Sequence, residues 1–486
     1  MLFFLVLLVI VGLCAAQQQC QVFVNSSMSL PLAVPCGNSS STACLTIQQA
    51  VDAVNSLTAA QLMGCDNVTI SLGGGTYRGA GNVGVTLQFN LTAAVATVYV
   101  GDIVDNPTVD GQLQVRDRPL WTVLATTPNQ TVQVSGVQFV NGSSDAAGGG
   151  GALIVATAPT ATVTLAACTF TGNVAKVGGA LVVLAAGADA QSGRVRVDFC
   201  NFYNNTASAE GFFDTAAGTC SAGGGAAFVS TQSDTVFNSC QFEGNVASCG
   251  GALFAQRWSG NSALHTCDFA HNTAKRGGAI FAFSTSNNGT AHWHDLYFTE
   301  NRAAIDGGAI FCANCQHVTR HVAAAVNSAQ GAGGAAYLFN SATLLHNFTF
   351  TNNFAVTDGG ALYITGAAAS TNTQNAVTNS SFELNAVTGP AARGPAVYCK
   401  DTRITFAPYA PDAFCLLTCT TPEIVCACQQ CTDPVGTTTV APAPLPSGSI
   451  WAWLAPLLIL IALLIGGGVW FYRRRGSSNR AKFLNI

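Results

Sequence analysis

Across the middle of the chain, short runs of alternating apolar and polar residues restart about every 26 residues. Alternation at period two puts successive side chains on opposite faces of a strand, and no 3.6-residue period competes with it. Two markers fix the phase. Gly-Gly-Ala triplets begin at Gly150, Gly178, Gly224, Gly250, Gly277, Gly307, Gly333 and Gly359. Phe-x-x-Asn pairs fall at Phe170/Asn173, Phe202/Asn205, Phe242/Asn245, Phe269/Asn272, Phe298/Asn301, Phe350/Asn353 and Phe382/Asn385. One further copy keeps Asn327 but has Ala324 in place of the ring, while Phe139 lacks a correctly spaced Asn and marks an opening coil. Triplet intervals of 28, 46, 26, 27, 30, 26 and 26 residues are those of a solenoid.

The pattern within one repeat predicts three short strands. Two residues before each Phe position comes Cys168, Cys200, Cys240, Cys267, Leu296, Val322 or Phe348, and further back lie pairs such as Val163/Leu165 and Val195/Val197. These make two strands joined by a corner. Leu181/Val183, Leu253/Ala255, Ile280/Ala282 and Leu362/Ile364 follow the triplets as a third strand. The expected fold is all-β, a right-handed parallel β-helix. About ten coils at about 4.8 Å give a rod roughly 50 Å long. The glycine pair suits a corner with positive φ or close backbone approach. The Asn suits a buried turn whose amide bonds to the Asn of the next coil. Most motif asparagines continue Asn-x-Ala and none is a glycosylation acceptor, although such acceptors occur at Asn25, Asn38, Asn67, Asn90, Asn129, Asn141, Asn204, Asn288, Asn347 and Asn379.

Over roughly residues 135 to 390 the paired Gly-Gly-Ala-[Leu/Ile] and Phe-x-x-Asn motifs resemble the repeats of the chlamydial polymorphic membrane proteins, also recognised in some protist surface proteins. The resemblance implies a pectin-lyase-like β-helical passenger used in adhesion and surface variation. The bacterial family ends in an outer-membrane β-barrel; this chain has no such segment.

The flanks suggest a membrane-anchored organisation. Residues 1–16 read as a signal peptide ending Cys14-Ala15-Ala16. Residues 17–134 form an N-terminal cap and opening coils, with Thr46-Ile-Gln-Gln49 as a capping box for an amphipathic helix across the open end. The repeats fill 135–398, followed by a Cys-rich segment (399–431) and a Thr/Pro-rich stalk (432–449). Residues 450–472 are apolar enough to span a bilayer, and Arg473-Arg474-Arg475 opens a basic cytoplasmic tail over 473–486. The expected topology is single-pass with the N-terminus extracellular or lumenal, at the plasma membrane.

Charged residues are only 9% of the chain, against about 25% in ordinary globular domains. Of 19 basic residues 14 precede the tail, opposed by 23 acidic ones, so the exterior carries a net charge of −9. That sign argues against nucleic acid as the partner. Eighteen cysteines remain after Cys14, and an exported chain makes disulfides the default for them. Cys168, Cys200, Cys240 and Cys267 share one position on four coils, while Cys312-x-x-Cys315 resembles a redox pair only superficially.

Two outward rows are candidate contact surfaces. One is aromatic: Phe228, Phe254, Phe281, Phe311, Tyr337 and Tyr363, each two residues after a triplet alanine. An exposed ladder of rings binds sugars or proteins; a covered one is stacked scaffold. The second row runs Asp198, Asn238, His265, His294, Arg320 and His346, with His292 on the same face. Its readings are a metal site, a pH-sensitive contact or a plain solvated row. No carboxylate pair is placed for polysaccharide cleavage: Asp306 and Asp358 share a corner but have Ala332 between them, and Arg276 neighbours Asp306. No catalytic residue, cofactor or metal is assigned. The expected function is adhesion or surface recognition of cell-surface glycans or proteins, with a non-catalytic scaffold and, further off, a polysaccharide lyase or hydrolase as alternatives.

Overall fold

The computed structural model describes residues 20–407, apart from 26–35, 37–41, 63–64, 66, 92–96, 103, 115–116, 146–148, 186–192, 231–233, 257–261, 284–290, 367–373 and 401–402. The signal peptide, stalk, membrane span and tail expected from sequence, and most of the Cys-rich segment, lie outside the described residues. Among the described residues no helix is long and apolar enough to cross a membrane.

The strands stack coil upon coil in parallel register. One sheet of 21 strands holds the two segments that precede and contain the Phe positions, and a second of 11 strands holds the segments after the triplets. Register is exact across neighbours: Phe202 sits on Phe242, and Phe254 on Phe281. A slip of one residue would turn the whole apolar set outward, so the alternation itself fixes the register. The three expected segments per coil gain a further short one. Two-residue strands such as Thr206–Ala207, Arg302–Ala303 and Ser328–Ala329 follow the motif asparagines and form a third row of short parallel pairings. At two residues each they are too short for alternation to reveal.

Three corners per coil adopt left-handed backbone. The residue three before each Phe position does so (Ala167, Phe199, Ser239, Thr266, Asp295, His321, Asn347, Asn379), as does the one two after it and the first glycine of each triplet. The second glycine has a different task. A Cβ on Gly278 would overlap the carbonyl oxygen of Gly308 and stand 2.7 Å from the nitrogen of Arg302, so the missing side chain is what lets successive coils close.

Inside, two ladders run along the axis. Phe170, Phe202, Phe242 and Phe269 stack at centroid spacings of 4.7–4.8 Å with planes within 3°. Phe139 and Phe298 extend the stack before Ala324 interrupts it. Beside it runs the asparagine ladder, buried from Asn173 to Asn353. Asn272 shows the rule. Its Oδ1 accepts from both the backbone N–H and the Nδ2 of Asn245, each at 3.0 Å. Its own Nδ2 donates to Phe242 O at 2.9 Å and Asn301 Oδ1 at 3.0 Å. Every amide is thus satisfied without water, which is what allows a polar residue at zero exposure. A bulky N-linked sugar on such an amide would break the ladder, which accounts for its avoidance of acceptor triplets.

The N-terminal end is closed as the sequence suggested. Helix Ile47–Asn55 carries a capping box in which Thr46 Oγ1 accepts from Gln49 N at 3.2 Å and Gln49 Oε1 accepts from Thr46 N at 3.3 Å. Ile47, Ala50, Val51 and Val54 join the apolar core. Disulfides Cys20–Cys65 and Cys36–Cys44 tie this end together. The expectation of pairing fails for Cys168, Cys200, Cys240 and Cys267, which are buried free thiols. Each points into the core on its own coil and bonds to a backbone carbonyl, as Cys240 Sγ does to Val197 O at 3.2 Å. In-register strands do not bring such side chains into disulfide geometry. Cys312 and Cys315 do form a bond, across a corner of one coil.

Candidate functional site

The aromatic row lies on the outer face of the 11-stranded sheet, as the alternation requires. Its rings stack in sequence: Phe228–Phe254 at 5.0 Å, Phe254–Phe281 at 5.3 Å, Phe281–Phe311 at 5.0 Å, Phe311–Tyr337 at 4.8 Å and Tyr337–Tyr363 at 4.7 Å. A seventh rung was missed by sequence reasoning. Gly394-Pro395-Ala396 is a degenerate triplet, with Gly394 at φ +61°, and it places Tyr398 in register with Tyr363.

Of the two readings, an exposed stripe and a covered ladder, the middle of the row fits the covered one. Phe254, Phe281 and Phe311 are at most 1% exposed although they lie outside the coil interior. They are covered by residues 209–222, the insertion that stretches one triplet interval to 46 residues. This strap is a small antiparallel hairpin pairing Phe213 with Cys220 and Asp214 with Thr219. Asp214 Oδ1 accepts from Ala216 N at 2.9 Å and shapes the turn. Phe213 then meets the ladder edge-on, 5.5 Å from Phe311 and 6.2 Å from Phe281. Sequence could reveal the length anomaly but not where twenty or so extra residues would fold back.

Polar contacts pin the strap at several coils. Cys220 is bonded to Cys249, and Asn314 Nδ2 donates to Ala217 O at 3.1 Å. The Arg276 guanidinium lies 3.7 Å above the Phe213 ring and 3.4 Å from Asp306. The Arg276–Asp306 pair is therefore largely buried, with side chains 15% and 20% exposed. Burial pushes the Asp306 carboxyl up despite the adjacent cation. Two coils on, Asp358 repeats the arrangement with Arg393 at 3.2 Å, and Arg393 lies over Tyr398. Both carboxylates also accept a backbone N–H from the next coil, from Ala332 and Arg393 respectively. They serve the corners.

Beyond the strap the phenylalanines give way to tyrosines. Tyr337 is half-buried, and burial pushes the Tyr363 phenol up to about 12. The strap itself exposes Phe212 by 76%. Among the described aromatic residues of this face Phe212 is the exposed one, and Phe213, Phe228, Tyr337 and Phe339 are half-buried. Replacing both Cys220 and Cys249 by serine should lower stability by about 3.6 kcal/mol, the chain-entropy value for a loop of this length. Protease nicking within residues 209–222, together with increased binding of an apolar dye, checks it. A variant as resistant as the parent would show that ring packing alone holds the strap.

The second row also falls in register, with His265 on His294, His294 on Arg320, and Arg320 on His346. The row's own carboxylate, Asp198, lies two coils from His265. The structure adds one: the left-handed corner at Asp295 turns its carboxylate to His294 Nδ1 at 2.9 Å and His321 Nδ1 at 3.3 Å. Corner residues have no fixed place in an alternating pattern, which hid both Asp295 and His321. Among the described residues no group of three or more His, Cys, Asp or Glu side chains is arranged to hold a metal ion.

Of the glycosylation candidates, Asn90, Asn129, Asn204, Asn347 and Asn379 are exposed, and Asn25, Asn67 and Asn141 are half-buried. Asn38 and Asn288 lie outside the described residues.

Compared with known proteins, residues 295–313 and 347–365 match the chlamydial polymorphic membrane protein repeat. Each segment runs from the corner before a Phe position, through the ladder Asn and the glycine corner, to the outer strand. No curated protein and no solved structure matches the chain.

Proposed function

We propose that the protein is a surface-exposed, adhesin-like β-helical rod, held in the membrane by one helix with its N-terminus outside and glycosylated on its corners. The observation that carries this reading is the repeat match combined with an outer face built differently from the scaffold. Gly-Gly-Ala, Phe and Asn rows are consumed in holding coils together. The strap interrupts that regularity and presents Phe212 to solvent, while the half-buried Tyr337 continues the ladder from Phe311. Insertions on rigid frames are where binding residues concentrate. Cell-surface glycans or proteins are the partners such a face suits, since isolated exposed rings stack on sugar faces and anchor protein contacts.

A scaffold without a specific ligand is the competing reading. Screening the full chain against a glycan array and against intact cells separates them. Adhesion predicts saturable binding to at least one class, whereas uniform absence of binding supports the scaffold. A polysaccharide-active enzyme remains a third reading, tested by incubating the chain with charged polysaccharides and calcium and looking for new reducing ends.

A further inference from the structure

All seven histidines of the chain fall between His265 and His346. Five of them, His265, His292, His294, His321 and His346, gather with Arg320 on the outward side of the 21-stranded sheet and its adjoining corner. The His265 and His294 rings stand 4.0 Å apart, and those of His321 and His346 stand 6.5 Å apart. Exposure is substantial: the side chains of His294 and His321 are 42% and 54% exposed, and His292 and Arg320 are exposed as well. The column from His265 to His346 crosses four coils, about 15 Å of rod.

We propose that this strip is an acid-gated docking surface for a linear anionic polysaccharide. With the imidazoles neutral, the strip holds one cation, Arg320, and one carboxylate, Asp295, and has no excess charge. Once the imidazoles take up protons, five of them together with Arg320 outnumber that carboxylate. The other groups facing the strip do not cancel the gain. Arg196 pairs with Asp198 at 3.3 Å, Asp198 also accepts from Asn238 Nδ2 at 3.3 Å, and the Thr378 hydroxyl lies 2.8 Å from His346 Nδ1. His271 and Glu300 meet at the next corner and are paired with each other at 3.5 Å.

The gating range follows from the chemistry of imidazole, which ordinarily protonates near pH 6.5. Burial, followed by repulsion from His294 and His292, holds His265 below that range. The hydrogen bond from His294 holds Asp295 below the usual carboxylate range, so its charge persists through the transition. A straight row of cations at coil spacing suits one extended polymer with a charge on successive sugars, rather than the paired, curving backbones of a duplex. The strip lies on a different sheet from the aromatic ladder, so the inference goes beyond the adhesion reading.

The test is retention of the full chain on immobilised heparin at pH 7.5 and pH 5.5, with immobilised single-stranded DNA as the second matrix. Affinity for heparin should rise at least about tenfold on acidification, with a steeper salt dependence at pH 5.5. The variant carrying His292→Gln, His294→Gln and His321→Gln should lose that gain while keeping its neutral-pH binding to cells. In the parent, the imidazole resonances should titrate at higher pH when a heparin oligosaccharide is added. Equal affinity at both pH values, an acid gain that survives the triple substitution, or unshifted titrations would overturn the proposal. Retention on DNA matching that on heparin would overturn the assignment to a polysaccharide. Loss of cell binding at neutral pH without any effect on heparin would count against the adhesion reading alone.

Discussion

Asn272→Leu is expected to lower the stability of the β-helix by about 4 kcal/mol, close to the total margin of many folded domains. The size follows from what one amide does. Its Oδ1 accepts two hydrogen bonds from Asn245, and its Nδ2 supplies bonds to Phe242 O and Asn301 Oδ1, all at zero exposure. Leucine branches at the same carbon with the same number of heavy atoms, so no cavity confuses the result. It leaves the Asn245 backbone N–H without an acceptor in a place water does not reach. Each stranded group of this kind costs about 1–3 kcal/mol. Urea unfolding with an unchanged denaturant slope and a lowered midpoint would match the expectation. Asn385→Leu, at the half-buried end of the ladder, should cost markedly less because Asn385 serves one neighbour and lies nearer solvent.

Gly278→Ala should be the more damaging single change, by more than about 4 kcal/mol or by outright failure to fold. The added methyl has no flexible side chain to push aside. It meets the backbone of Gly308 and of Arg302, and relief requires the coils to part where Gly278 N bonds to Gly307 O at 3.1 Å. The equivalent glycine recurs in all eight intact triplets, so Gly251→Ala and Gly334→Ala should behave alike. Soluble yield and thermal midpoint of the three variants check this. Near-parental stability in any of them would mean that coils can separate locally without loss of the stack.

Much of the architecture was legible because a solenoid repeats its physical problem. Phe170 and Phe298 face the same packing environment, so a period written nine times over exposes inward and outward rows that one copy could not. The capping box at Thr46 and Gln49 was legible for another reason: two side chains and two backbone groups within four residues decide it. What escaped were features set by tertiary placement. Phe281 reads as exposed by alternation and is buried because Phe213, some seventy residues earlier, lies across it. Asp295 and His321 sit on left-handed corners, where side-chain direction depends on φ rather than on position in a strand. Tyr398 was hidden by a proline in the middle of its triplet. The four stacked cysteines show the limit of compartment arguments, since strand geometry overrides the default of pairing.

The structure therefore divides the chain's residues into two populations. Scaffold rows are interior or glycine positions whose loss separates coils. Contact residues stand on the outer faces, on the strap and at the corners, where substitution leaves the stack intact. The difference is measurable, because the two populations should respond oppositely in stability and in binding.

The most direct test is binding of the full chain to intact cells, compared between the parent and a Phe212→Ser, Tyr337→Ser double variant of matched thermal midpoint. The account predicts at least a tenfold loss of cell binding, about 1.4 kcal/mol or more, with the midpoint within a few degrees of the parent. Undiminished binding by a folded double variant would contradict it, and would place recognition away from the strap and the aromatic ladder.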